Sequence, residues 1–158
     1  MQRKAIDPIY LRSIISPNVK DCKIGALEFA NTLKRFIDEN LSGAMTVTVL
    51  GHSDGCVNLK LSVVTYMIRL FCEMAGENEV IKLGISLGDK LTMSLSFKSL
   101  DDHKSVSHLI KTARLAGFDV LRDGGTLIFE ASASKATLQV YATSSDEFMS
   151  MLVLTHKM

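Results

Sequence analysis

Gly51-His52-Ser53-Asp54-Gly55 is the segment whose residue types and spacing come nearest to catalytic machinery. It matches G-x-S-x-G, the sharp strand-to-helix turn that lifts a nucleophilic serine clear of a sheet. An acid among Asp101, Asp102, Asp119 and Asp123, followed by His156, would complete the order Ser, Asp, His. Against this, Ser53 has too short a chain before it for a parallel half-sheet with an oxyanion loop, and the pattern after it is not a βαβ series. Serine hydrolysis through Ser53 is therefore the lesser expectation. His103 and His108 stand five apart, which separates them around a helix, so they read as exposed or capping side chains. Cys22, Cys56 and Cys72 are odd in number and form no C-x-x-C pair. They read as small buried hydrophobes in a reducing compartment, and no metal site is expected.

The elements that would position these groups follow from hydrophobic period. Residues 1–20 read as a short helix and a turn broken at Ser16-Pro17-Asn18. Residues 23–41 are helical, with Leu27, Ala30, Leu33, Ile37 and Leu41 on one face. A strand at 45–50 and a loop at 51–55 lead to a second helix at 59–75. Its stripe is Val64, Met67, Ile68, Phe71, Met74 and Ala75, opposite Ser62, Thr65, Arg69 and Glu73. Two alternating strands follow, Ile81, Leu83, Ile85 and Leu87, then Leu91, Met93, Leu95 and Phe97, joined at Gly88-Asp89. A third helix runs from Val106 through Leu109, Ile110 and Ala113 to a stop at Gly117, with Asp101-Asp102 as its cap. The remainder reads as β: 118–121, 126–131, 136–142 and 148–154, the last with a short helix as its alternative.

That order gives an α/β (α+β) two-layer sandwich, with three helices on one face of a mixed, mostly antiparallel sheet. One domain spans 1–158, with 1–20 as an N-terminal extension. Composition agrees, at 47% apolar and 22% charged over 158 residues, which is globular and not disordered. A formal net charge of +1 and the absence of Trp argue against a nucleic-acid surface. The longest apolar stretch, 61–75, is short for a membrane span and contains Arg69 and Glu73, so no direct membrane insertion is expected. With no apolar leader at 1–8, a cytoplasmic location is the expectation.

Helix, strand, helix, two-stranded hairpin, helix and β-meander is an order that resembles the histidine-kinase-like ATPase superfamily, above all the catalytic domain of sensor histidine kinases, from about Lys20 onward. Ile68-Arg69-Leu70-Phe71-Cys72-Glu73-Met74-Ala75 is similar to the helix that reads N-L-L-x-N-A in those kinases. Residues 106–117 are similar to the helix after the nucleotide lid, and Asp123-Gly124-Gly125-Thr126 to the turn of the terminal hairpin. The resemblance implies that the two amides of that helix correspond to Leu70 and Met74, and the adenine-reading Asp to Phe97. The second glycine box corresponds to His103-Lys104-Ser105-Val106, and no glycine lies between Gly88 and Gly117. A magnesium ion wants hard oxygen ligands, which a Leu methyl and a Met thioether do not offer. No phosphoaccepting His lies within the first 50 residues.

The resemblance thus implies a signal-transduction domain with a degenerate nucleotide pocket, bounded by Leu70, Glu73, Met74, Asn78 and Phe97, without catalytic residues, metal or cofactor. Its partner would be another signalling protein or a second copy of itself. The alternative is an active sensor kinase domain that binds ATP and magnesium, in which Glu73 and Asn78 supply the oxygen.

Overall fold

The computed structural model describes residues 22–75, 78–98, 100, 104–135 and 143–157. The expected extension at 1–20, the strand at 136–142, and Asp101, Asp102 and His103 lie outside these residues.

In chain order the elements are β1 (Cys22–Gly25), α1 (Ala26–Asn40), β2 (Met45–Gly51), β3 (Gly55–Leu59), α2 (Leu61–Met74), β4 (Ile81–Leu87) and β5 (Lys90–Ser96). There follow α3 (Val106–Ala116), β6 (Asp119–Asp123), β7 (Thr126–Ser132), β8 (Ser134–Lys135) and α4 (Ser145–Lys157). Five strands form the main sheet in the order β2-β4-β5-β7-β6. Every neighbouring pair is antiparallel except β2 and β4. A parallel pair cannot be joined by a tight turn, and the crossover between β2 and β4 is the segment that contains β3 and α2. The mixed, mostly antiparallel sheet is as expected.

The alternation read from the sequence is the register of the core. Ile81, Leu83, Ile85 and Leu87 on β4, and Leu91, Met93 and Leu95 on β5, are buried. Leu127, Phe129 and Ala131 on β7 join them. Thr46 and Thr48 on β2, and Lys82 and Ser86 on β4, stay exposed on the opposite face.

Three expectations need correction. Residues 22–25 and 55–59 are strands and not helix or loop, and with β8 they make a second, three-stranded sheet, β1-β3-β8. Four-residue and five-residue strands around single glycines leave too little alternation to read. Residues 145–157 are a helix, so the described residues hold four helices and not three. The reason lies in its buried positions, Phe148, Leu152 and Thr155, which recur at helical spacing. The apolar run 148–154 hid that spacing, but a start signal precedes it. The Glu147 amide donates to Ser144 Oγ at 3.1 Å, and that hydroxyl meets Glu147 Oε1 at 3.3 Å. Ser144-Ser145-Asp146-Glu147 has the spacing of a capping box.

Finally, α2 is buried almost all round. Thr65 and Arg69, read as part of the polar face opposite the apolar stripe, are 2% and 9% exposed. The helix lies between α3 and α4, so only Ser62 and Glu73 keep appreciable contact with water.

Candidate functional site

Two edges of α2 carry the functional question. The first contains Leu70 and Met74, which are 5% and 3% exposed. Tyr66, one turn before Leu70 on this edge, shares a 2.8 Å hydrogen bond with His108 Nε2 of α3, ring against ring at 5.9 Å. Burial, and then the Glu73 carboxylate, push the Tyr66 phenol up from its usual range, so it stays protonated and able to donate. Arg69 Nε meets Glu73 Oε1 at 3.4 Å. Asn78 is exposed beyond the end of the helix. Phe97 is buried just past β5, where the Leu100 amide donates to its carbonyl at 3.1 Å. Among the described residues, no three His, Cys, Asp or Glu side chains are grouped to hold a metal ion.

The opposite edge of α2, made by Thr65, Ile68, Arg69 and Cys72, lines a cleft of about 250 Å³. The end of α1 and the residues after it, with Phe36, Asn40, Leu41, Ser42 and Ala44, form the second wall. The last turns of α4 form the third, with Leu152, Thr155, His156 and Lys157. Arg69 Nη1 reaches across to donate to the His156 carbonyl at 2.9 Å. Thr155 Oγ1 bonds Thr65 Oγ1 at 3.1 Å and the Met151 carbonyl at 2.9 Å, while Thr65 Oγ1 bonds the Ser62 carbonyl at 2.7 Å. The His156 ring stands edge-on to Phe36 at 5.8 Å. Burial, and then the Arg69 charge, hold its pKa below the usual 6.5, so it is neutral at pH 7.

Ser53 is placed differently from what its motif requires. The segment after it is a strand, β3, and not a helix. No non-glycine among the described residues has a positive φ, so the strained turn of an exposed nucleophile is absent from them. The Gly55 amide donates to Ser53 Oγ at 3.1 Å, and His52 pairs with Asp54 at 2.8 Å out in solvent. His156 belongs to the cleft, which Ser53 does not line.

The chain is similar in structure to several histidine kinases. The catalytic domain of histidine kinase ThkA, in a nucleotide-free form, matches 74% of this chain and 99% of that one, with 14% identity and a TM-score of 0.48. The cytoplasmic segment of histidine kinase QseC matches 86% and 99%, with 12% identity and a TM-score of 0.49. Acinetobacter baumannii histidine kinase AdeS matches 82% and 77%, with 11% identity and a TM-score of 0.39. No family model matches the sequence, and no curated protein does so significantly.

Sequence reasoning missed the cleft. Its signal was available: Thr65 and Arg69 are four apart on a helix otherwise rich in Val, Met, Ile, Leu and Phe. A polar pair at that spacing marks either a solvent edge or a polar seam between helices. The second alternative holds here because α4 is a helix and covers it.

Proposed function

We propose that this chain is a histidine-kinase-like ATPase-type domain of a signalling protein, with a degenerate nucleotide pocket, and that it acts by binding another protein or a second copy of itself. One observation carries the reading. Leu70 and Met74, the positions to which the resemblance assigns the kinase amides, are hydrocarbon and thioether, and both are buried. A magnesium ion held at about 2.0–2.1 Å by oxygen finds no ligand in either. Glu73 and Asn78, the polar residues that could have supplied oxygen in their place, support the same reading: Glu73 meets Arg69, and Asn78 lies out in solvent. Phe97 is an apolar ring where the resemblance assigns an adenine-reading carboxylate. A cytoplasmic, two-component setting belongs to the same proposal; no helix among the described residues is long and apolar enough to cross a membrane.

Thermal unfolding in millimolar Mg-ATP or Mg-ADP tests it. A ligand at a hundredfold excess over Kd adds about 2.7 kcal/mol to the folded state. The expected outcome is an unchanged midpoint. A saturable upward shift that EDTA abolishes would overturn the reading in favour of an active, nucleotide-binding sensor kinase domain.

A further inference from the structure

Among the described residues, the main sheet ends in two edges of opposite character, β2 and β6. We propose that β2 is a self-association edge, to which a second copy of this chain adds its own β2, antiparallel, about a twofold axis at Thr48. Such pairing is a specific form of the self-association proposed above, and its role in signalling rests on that reading.

The main chain of β2 is engaged on one side only. Its parallel register with β4 runs unbroken from Met45 opposite Ile81 to Gly51 opposite Leu87, and the Ile81 amide donates to the Ala44 carbonyl at 3.0 Å. In that register Thr46, Thr48 and Leu50 turn their N–H and C=O groups to β4, and Val47 and Val49 turn theirs away. The Met45 amide, on the same outer side, is taken by the Leu41 carbonyl at 3.1 Å. Val47 and Val49 have no second strand beside them among the described residues. An edge of this kind is a template for one more strand.

Charge decides which strand fits. Natural edges are blunted by charged side chains, proline or a bulge. β6 follows that rule with Asp119, Arg122 and Asp123. Two copies of β6 paired antiparallel about Leu121 would set Asp119 against Asp123 at both ends, which opposes like charges. β2 has no such device. Residues 41–51 contain neither charge nor proline, and no bulge interrupts Met45–Gly51 against β4. About an axis at Thr48, Val47 of each copy faces Val49 of the other, and the two exchange both main-chain bonds. Thr48 then faces Thr48, and Thr46 faces Leu50, which is 65% exposed. Threonine pairs and β-branched pairs are favourable across strands. His52 and Asp54, which bond each other at 2.8 Å, would fall beside Ala44 and Ser42 of the second copy, so no like charges meet. The contact is isologous, as a twofold dimer requires. One strand pair buries less than the about 1,200 Å² of a standard interface, so the dimer is weak, with a Kd of about 100 µM.

Sedimentation of the full chain from about 10 µM to about 1 mM, with amide NMR over the same range, tests the pairing. Expected is a reversible monomer–dimer equilibrium, with concentration-dependent shifts and slowed exchange centred on the Val47 and Val49 amides. Thr48→Lys sets two ammonium groups face to face at the axis and should weaken the dimer about tenfold or more, as should Thr48→Glu with two carboxylates. Mixed in equal amounts, the two variants should form a heterodimer within about threefold of the parent Kd, which pairing across position 48 alone predicts. The Thr48 side chain is exposed, so both variants should keep the parent's denaturation midpoint. Should either fail to fold, the Val47 and Val49 amides of the parent carry the test. A monomer up to about 1 mM, a dimer indifferent to Thr48→Lys, or a variant mixture that stays monomeric would overturn the proposal. Protection of the Val47 and Val49 amides that is independent of concentration in a monomer would also overturn it, and would give the edge to another segment of this chain. The two readings fail separately: a monomer with no response to Mg-ATP removes this dimer and keeps the degenerate pocket, while a nucleotide shift with the dimer intact does the reverse.

Discussion

Gly51 and Gly55 look like the two small residues of a catalytic turn, yet each has a backbone reason for its identity. Gly51 has φ +84°, and a Cβ there would run into the Leu87 carbonyl oxygen of the neighbouring strand. A Cβ on Gly55 would come within 2.8 Å of the Ser134 carbonyl oxygen, across the β3–β8 pair. Gly51→Ala should therefore lower stability by about 2 kcal/mol or more, measured by chemical denaturation. Ser53→Ala, in the loop between them, should stay within about 0.5 kcal/mol of the parent. His156 offers a prediction in pH. Its folded pKa lies below 6.5, so the unfolded chain takes up a proton first. Its contribution is complete above about pH 6.5 and is lost as pH falls through the folded value. Among the described residues, Arg69 and Lys157 are the charged side chains that line the cleft with it. Denaturation midpoints should fall between about pH 7 and pH 5, and His156→Gln should flatten that slope. If both proteins show the same slope, the burial of this imidazole is not what sets it.

At the level of elements, α4 decides how the protein closes. Phe148 stacks on Phe29 of α1 with centroids 5.1 Å apart and planes 12° from parallel, and Leu152 is 2% exposed. Phe148→Ala should cost about 3–5 kcal/mol and Leu152→Ala about 2–5 kcal/mol, read from the shift in denaturation midpoint at constant slope. Unchanged midpoints would mean that α4 is dispensable to the core. The strands β4, β5 and β7 were legible because each buries alternate residues on one face, which prints a period of two on the sequence. Helix α3 was legible through Leu109, Ala113 and its stop at Gly117, where φ is +114°. α4 was not, because Met149, Met151, Val153 and Leu154 are partly or largely exposed yet apolar, and so blur the helical period. The polar face of α2 misled for the opposite reason: Thr65 and Arg69 are buried while satisfied by hydrogen bonds, a state that composition does not distinguish from exposure.

For the molecule as a whole, the sheet has a firm middle and a thin margin. β5 is paired on both sides, by β4 and β7, whereas β6 is an edge whose residues, apart from half-buried Val120, are exposed. Amide hydrogen exchange should be slowest in β5 and the β4 and β7 residues facing it, and faster by orders of magnitude in β6. Equal protection across the sheet would contradict that layering. The sheet order was only partly legible, since which strands neighbour one another depends on the crossover through α2, and no local pattern encodes it. The seam between α1 and α4 has a temporal consequence. Phe29 is made before its stacking partner Phe148, which follows only after α2, α3 and the strands of the described residues have been made. The apolar face of α1 must therefore wait, open to chaperones or to a neighbouring nascent chain, until α4 arrives to seal it.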